Sequence, residues 1–250
     1  SKLKQNIDLI SYGNMEVVNL SHSKYEVEYN TIKDKIISGT LPPRSYVSED
    51  ALIEEFNMSR TPIREALQTL QKEGFVSVYP RKGIFITDIT PELLANIYDT
   101  RMIAEPYIAQ MACGNVSDDF VLALKDKFLH TPSGISGVEL SNYFAELDTE
   151  YHTMQYNYCH NHFIIDTMRI IDDHEKRIRR ICFDPSENSY CINEHVEMIE
   201  CFLCRDVPKL MEKTIKHIER ARSLCFSRFG NGSIQNIEQA YLHNQWQHMQ

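Results

Sequence analysis

Four side chains with nitrogen or oxygen donors are spaced so that they can bind one metal ion. Asp148 and His152 are four residues apart, so a helix would project them from one face. His195 and His217 lie about eleven residues to either side of a helix break at 205–208, and at ~1.5 Å per residue an antiparallel hairpin places both about 16 Å from the turn. Such a set suits a borderline divalent cation: zinc, nickel or manganese. The alternative is histidines at the edge of a core that are satisfied by their neighbours.

The second stretch with chemical potential begins at Ser59 and ends at Gly74. Arg60, Arg64 and Gln68 recur every four residues and form a polar stripe beside an apolar one. Their side chains are of the types that contact phosphates and base edges in DNA. Taken alone, the stretch would equally fit an ordinary amphipathic surface helix. The apolar stripe consists of Ile63, Ala66, Leu67 and Leu70.

A hairpin with a basic tip is predicted directly after this helix. Residues 75–79 alternate as a strand does, Pro80–Gly83 is typical of a turn, and 84–86 would form the returning strand. Arg81 and Lys82 lie in the turn. A polar-faced helix followed by such a hairpin is the outline of a winged helix-turn-helix domain.

The charge distribution indicates a local attraction to DNA. The net charge of −9 argues against a protein that coats nucleic acid non-specifically. Residues 1–88 hold 11 Lys and Arg against 12 Asp and Glu, whereas residues 89–250 hold 15 against 23. Within 58–83 there are five basic residues and two acidic ones. Positive charge is therefore concentrated on the predicted helix and the hairpin tip.

The same composition predicts a cytoplasmic protein without a membrane partner. No run of about eighteen apolar residues is present, and the first residues show no secretion signal. The seven cysteines are odd in number and irregularly spaced. Cys201 and Cys204 form a single CxxC without a second pair, so we expect buried thiols in a reducing compartment rather than a metal or redox site.

The elements that must position these residues form a mainly α protein. We predict a winged helix-turn-helix domain at 24–88 and an all-α bundle at 89–230, flanked by a mobile arm at 1–23 and a tail at 231–250. In the first domain, helices are expected at 24–38 and 49–57, and Ser59 or Thr61 caps the next one. In the bundle, the predicted helices are 91–113, 118–130, 137–159, 162–183, 188–204 and 207–229.

Several motifs resemble known families. SRTPIREAL at 59–67, followed by EGF and then PRKG at 80–83, closely resembles the DNA-binding domain of GntR-type bacterial transcription regulators. The second half resembles the FCD effector domain that marks the FadR subfamily, which implies that the bundle at 89–230 serves effector binding and dimerisation. This second resemblance is carried by Tyr98, Asp99, Thr100, Arg101, Glu105, Asp148–His152, Asn161, Glu194, His195 and His217–Arg220.

The resemblance implies a ligand-responsive transcription regulator, expected to be a repressor and a homodimer on a near-palindromic DNA operator. It implies that a metal bound by Asp148, His152, His195 and His217 anchors a small organic acid, and that Arg101 clamps the effector's carboxylate. An internal pair between Arg101 and Glu105 is the alternative. The residues expected to contact DNA are Ser59, Arg60, Thr61, Arg64, Gln68, Arg81, Lys82 and Gly83.

One departure and two alternatives stay open. Asp50 lies where the family's first motif helix can carry a DNA-contacting arginine, and the four metal ligands argue against an acyl-CoA effector. A metal-dependent hydrolase is one alternative, although the sequence has no general base at fixed spacing and no nucleophile motif. The other alternative is a DNA-binding module whose metal is purely structural.

Overall fold

The computed structural model describes residues 24–57, 59–182 and 188–230, so the predicted arm (1–23) and tail (231–250) lie outside the described residues. The predicted fold class, a winged helix-turn-helix domain followed by a helical bundle, is confirmed. In chain order the elements are α1 (Lys24–Ile37), β1 (Tyr46–Val47), α2 (Glu49–Phe56), α3 (Arg60–Lys72), β2 (Val76–Tyr79), β3 (Gly83–Ile86), α4 (Pro91–Cys113), α5 (Asp118–Leu129), α6 (Gly137–Tyr156), α7 (His162–Cys182), α8 (Asn188–Cys204) and α9 (Val207–Gly230).

The helix α3 is the centre of the first domain. Its predicted apolar stripe is buried as expected and packs with Ile32 and Ile36 of α1 and with the sheet. Ser59 has the extended backbone of an N-cap, but its side chain makes no capping hydrogen bond. The helix ends before Gly74, whose φ of +85° belongs to the left-handed region that favours glycine.

The sheet has three antiparallel strands, and β3 lies between β1 and β2. The sequence predicted β2 and β3 but not β1, because two residues are too short to show an alternating pattern. Tyr46 of β1 pairs with Phe85 of β3, and their rings lie 5.0 Å apart. This extra strand fixes the base of the hairpin to the rest of the domain.

Helix ends in the bundle match the sequence to within one residue, with one exception among the described residues. The helix α6 was expected to reach 159 but ends at Tyr156, where bonds from the amides of Tyr158 and Cys159 to the carbonyls of Gln155 and Tyr156 form a turn. The turn between α8 and α9 is held by Arg205, which donates to the carbonyl oxygen of Cys113 at 2.8 Å.

Of the cysteines within the described residues, Cys204 is exposed, whereas Cys113, Cys159, Cys182, Cys201 and Cys225 are buried. No helix in the described part of the chain is both long and apolar enough to cross a membrane.

The two domains meet along α7. Lys33 of α1 binds Asp173 at 2.7 Å and Glu73 at 3.1 Å, which brings α1, the end of α3 and α7 together. Burial lowers the pKa of Lys33, but its hydrogen bonds to Asp173 and Tyr29 outweigh this effect and raise the pKa above its ordinary value. The lysine therefore stays charged at this contact.

A second contact of α7 holds the segment after the hairpin. The guanidinium of Arg177, which is fully buried, donates to the carbonyl oxygen of Thr87 and, at 3.1 Å, to its hydroxyl. Thr87 in turn donates its hydroxyl to the carbonyl of Gly74 at 2.7 Å. The bundle thus contacts the DNA-binding domain on both sides of its hairpin.

Candidate metal centre and nucleic-acid interface

The residues predicted to contact DNA lie at the surface of the first domain. Seven of the eight are exposed, and Gly83 is half-buried. The exposed residues are Ser59, Arg60, Thr61, Arg64 and Gln68 on and before α3, and Arg81 and Lys82 in the hairpin turn. These positions are accessible to a duplex that lies along α3 and the hairpin.

Both arginines of α3 bind carboxylates at the start of α2. Arg64 donates from Nε to the two carboxylate oxygens of Glu49 at 2.9 and 3.1 Å. Arg60 donates from Nη1 to Glu49 at 3.3 Å and from Nη2 to Asp50 at 2.7 Å. The sequence placed these arginines on an outer face but did not show that α2 would supply them with partners.

Only glycine fits at position 83, because of its backbone conformation and its close contact with β1. Its φ is +98°, and a Cβ built there would lie 2.9 Å from the carbonyl oxygen of Val47 in β1. The sequence interpretation assigned this glycine to close approach of DNA. The structure supplies another reason, the close packing of β1 against the hairpin.

Three of the four predicted metal ligands converge between α6, α8 and α9. One ligand atom each from Asp148, His195 and His217 lies within 4.8 Å of the others. The Nε2 atom of His195 is 3.2 Å from Oδ1 of Asp148, and the rings of His195 and His217 have centroids 4.8 Å apart. One carboxylate oxygen and two imidazoles are a donor set that suits zinc or a similar divalent cation, so these residues fit the group that the sequence predicts.

The second nitrogen of His217 is held by a carboxylate. Its Nδ1 lies 2.7 Å from Oε2 of Glu194, which also accepts from Arg220. Burial lowers the pKa of His217 to about 4, although the Glu194 bond raises it, so the ring is neutral at pH 7. A proton on Nδ1 donates to Glu194 and leaves the lone pair of Nε2 for a metal, which is the usual arrangement behind a metal-ligating histidine.

Asp148 divides its two oxygens between different partners. Oδ1 faces His195, whereas Oδ2 accepts from Nη2 of Arg179 at 2.9 Å. Burial raises the pKa of Asp148, but Arg179 and the hydrogen bond with His195 outweigh it and hold the pKa well below its usual range. The carboxylate is therefore ionised, and Arg179 leaves Oδ1 available to a cation.

His152 lies at the edge of this cluster. Its Nε2 is 3.9 Å from Oδ1 of Asp148, which is farther than the 3.2 Å of His195. His152 and Asp148 also line a cavity that opens to solvent, and its volume of about 290 Å³ includes some of that solvent. The other lining residues are Arg101, Thr149, Asp172, Glu175 and Lys176.

Arg101 is buried beside this cavity and has the predicted internal partner as well. Its Nε donates to Glu105 at 2.5 Å, and its Nη1 lies 3.5 Å from Glu175. Burial lowers the pKa of Arg101, but the two carboxylates outweigh it and raise the pKa well above its ordinary value. Nη1 is near the Glu175 carboxylate but makes no hydrogen bond to any described residue.

Sequence reasoning missed the contribution of α7 to the cavity. Asp172, Glu175, Lys176 and Arg179 follow the spacing i, i+3, i+4, i+7, which marks one helical face. The sequence shows that polar stripe, but a polar stripe on a helix is by default a solvated surface. Only the packing of α7 against α4 and α6 shows that this one lines a cavity.

Both domains of the chain match known protein families. The family described as bacterial regulatory proteins, gntR family, matches residues 24–86. The FCD domain matches residues 96–220. Together the two matches cover both the winged helix-turn-helix domain and the metal cluster.

The curated relatives are transcription regulators. The uncharacterized HTH-type transcriptional regulator YdhC of Bacillus subtilis is 26% identical over 145 residues, which cover 58% of this chain and 65% of that protein. The HTH-type transcriptional repressor RspR of Escherichia coli is 22% identical over 192 residues, which cover 76% and 84%. Both relatives carry the names of transcription regulators, so they lend no support to the hydrolase alternative.

A solved structure shows the same fold. A GntR-type transcriptional regulator from Rhodococcus sp. RHA1 superposes with a TM-score of 0.68 at 18% identity, covering 81% of this chain and 97% of that one.

Proposed function

The chain belongs to the gntR family of bacterial regulatory proteins and carries an FCD domain, and from this membership we propose a metal-binding transcription repressor of the FadR subfamily that responds to a small organic acid. DNA-binding transcription regulation is what its relatives do. The metal, the effector, the dimer and the direction of regulation are the proposed parts.

The observation that carries the proposal is the buried cluster of Asp148, His195 and His217 beside a polar cavity. Asp148 is ionised and His217 is neutral, which is the state that ligates a cation. We expect zinc, with nickel or manganese compatible, and His152 as the fourth ligand on the cavity side. When bound, the cation would supply a positive charge to which an acid's carboxylate can attach.

The cavity offers further groups for an organic acid. Nη1 of Arg101 is a buried donor that makes no hydrogen bond to a described residue, and Lys176 brings a second positive charge to the lining. Asp172, Glu175 and Thr149 offer acceptors on the other walls. A small acid with a carboxylate for the basic groups and polar substituents for the acceptors fits this lining.

The helix α7 supplies a path from the cavity to the DNA-binding domain. Asp172, Glu175 and Lys176 of α7 line the cavity. Asp173 and His174, which lie between them in the sequence, contact the winged helix-turn-helix domain. An acid that binds better when α7 is in one position than in another shifts the equilibrium toward the first position, and the recognition helix moves with it. The difference between the two affinities sets the size of this shift.

Dimerisation has a candidate surface on α4 and α7. Ile103 and Tyr107 are exposed one turn apart on α4, and Phe163 at the start of α7 is 88% exposed. Their neighbours Ala104 and Ile164 pack in one cluster, so the exposed side chains flank the same seam between the two helices. A second copy that covers them would place two recognition helices on one near-palindromic operator.

A thermal-shift screen of the full chain tests the proposed function. Organic acids are added to metal-loaded and chelator-treated protein, and at least one acid is expected to raise the melting temperature of the loaded form alone. Stabilisation by metal with no acid response would support a purely structural metal. No response to metal at all would overturn the metal-dependent part of the proposal.

A further inference from the structure

The first turn of α2 presents two successive carboxylates, Glu49 and Asp50, toward the recognition helix. Acidic residues in a first turn generally stabilise a helix through its dipole, and Ser48 already caps this one by accepting from the amide of Ala51 at 3.0 Å. That role does not require contact with α3. Yet both carboxylates bind arginines of α3, which indicates a second role.

Glu49 holds Arg64 by one edge of its guanidinium. Both hydrogen bonds, at 2.9 and 3.1 Å, leave from Nε. The Nη1–Nη2 edge takes no part in them, and that edge can donate to O6 and N7 of a guanine together. Glu49 is three-quarters covered, whereas Arg64 is 59% exposed, so the anchoring carboxylate is sheltered and the arginine side chain stays largely accessible.

Asp50 binds Arg60 at the Nη1–Nη2 edge of its guanidinium, the edge that Glu49 leaves open on Arg64. The bond at 2.7 Å leaves from Nη2, and Nη1 reaches Glu49 at 3.3 Å, so the terminal nitrogens of Arg60 are engaged. Asp50 is itself 76% exposed and lies beside the surface that would face the phosphates. A phosphate that binds Arg60 must displace Asp50 from it, and the phosphate then lies close to the negative charge of Asp50, which repels it.

We propose that these two carboxylates set the DNA specificity of the protein: Glu49 is a positioning residue that orients Arg64 for base contact, and Asp50 weakens binding to DNA of every sequence. This inference rests on the proposed role of α3 in binding DNA. Specificity is a difference between affinities, so a residue that lowers non-specific binding contributes to it as much as one that aids the specific contact.

The test compares fluorescence anisotropy on two duplexes for Glu49→Gln, Asp50→Asn and Arg64→Ala in the full chain. One duplex is a random-sequence pool, and the other is the tightest sequence that the parent protein selects from a randomised library. Glu54→Gln is the matched control, since Glu54 is an exposed carboxylate near the far end of α2. Circular dichroism establishes that each variant is folded.

We expect Glu49→Gln to lower affinity for the selected duplex by about tenfold, the size of one base contact, without lowering affinity for the pool. Asp50→Asn should raise affinity for both duplexes severalfold and steepen the dependence of log affinity on log salt by about one, the value for one additional phosphate contact. Glu54→Gln should change neither.

The outcomes separate this inference from the proposed function. If Arg64→Ala loses the selected duplex but Glu49→Gln and Asp50→Asn behave as the parent, the inference is wrong and α3 still reads DNA. If Arg64→Ala also behaves as the parent, the proposed role of α3 is wrong. A Glu49→Gln protein that loses both duplexes equally would contradict the positioning role.

Discussion

The Nε2 atom of His174 lies 2.8 Å from the carbonyl oxygen of Glu73, so a side chain of the helical bundle binds the end of the recognition helix. Glu73 is the C-cap of α3. The imidazole also stacks on Phe75, with centroids 4.0 Å apart and planes within 1° of each other. The orientation of α3 is thus fixed by contacts with α7, the helix that also lines the cavity.

Acidification should destabilise the folded protein through His174. Burial lowers the pKa of His174 to about 4 and the nearby charges of Arg177 and Lys33 lower it further, which outweighs the hydrogen bond to Glu73 that raises it. Since the folded pKa is below the unfolded one, this contribution to stability is complete above pH 6.5 and decreases as the pH falls toward 4. Between pH 7 and 5 the loss is about 2 kcal/mol.

The variant His174→Gln tests this by urea unfolding at both pH values. A glutamine amide can still donate to the Glu73 carbonyl but does not titrate, so the variant should lose about 2 kcal/mol less than the parent on acidification. His130→Gln is the control, because His130 is the exposed C-cap residue that follows α5. The same pH dependence in parent and His174→Gln would show that His174 does not cause it.

Replacing Arg177 should destabilise the junction between the domains. Arg177→Met removes the donor to the carbonyl of Thr87, whereas the Thr87 hydroxyl keeps its bond to Gly74, and a polar group left without a partner inside a protein costs about 1–3 kcal/mol. Arg169→Met on the same helix is the control, since its side chain is 69% exposed and should change stability by less than about 0.5 kcal/mol. Denaturant unfolding measures both, and equal effects would contradict a structural role for Arg177.

Glu194→Gln should weaken metal binding without removing a ligand. The carboxylate fixes the proton of His217 on Nδ1, and loss of such a partner typically reduces metal affinity by about 10–100-fold. Glu197→Gln is the matched control on α8, where Glu197 binds Lys213 at the surface. Competition with a zinc-sensitive dye gives the affinities. Parent-like affinity in Glu194→Gln would mean that Glu194 does not tune the site.

The sequence predicted most of the fold because strong local patterns defined it. The α3 stripe, the hairpin and the break before α9 were each visible in spacing and turn residues. The prediction that His195 and His217 lie at the same distance from the turn between α8 and α9 followed from counting residues to that break. Strand β1 and the early end of α6 were missed, because short strands and helix ends depend on tertiary contacts.

The partners of the functional side chains could not be predicted. Nothing in the spacing of Glu49 and Asp50 indicated that they would bind the arginines of α3. Arg177, Arg179 and Arg180 crowd one segment, and only the packing of α7 sends Arg177 to Thr87 and Arg179 to Asp148. Such partners depend on how helices cross, which a single sequence does not specify.

The metal content of His195→Gln tests the central claim most directly. The parent, His195→Gln and His130→Gln are each loaded with equimolar zinc, desalted and analysed for metal. His195 is nearly fully buried in the cluster, whereas His130 is exposed. We expect about one zinc ion per chain in the parent and in His130→Gln and a large loss in His195→Gln, since each ligand of a tetrahedral site contributes to binding. Equal zinc in all three proteins would contradict the metal site at Asp148, His195 and His217.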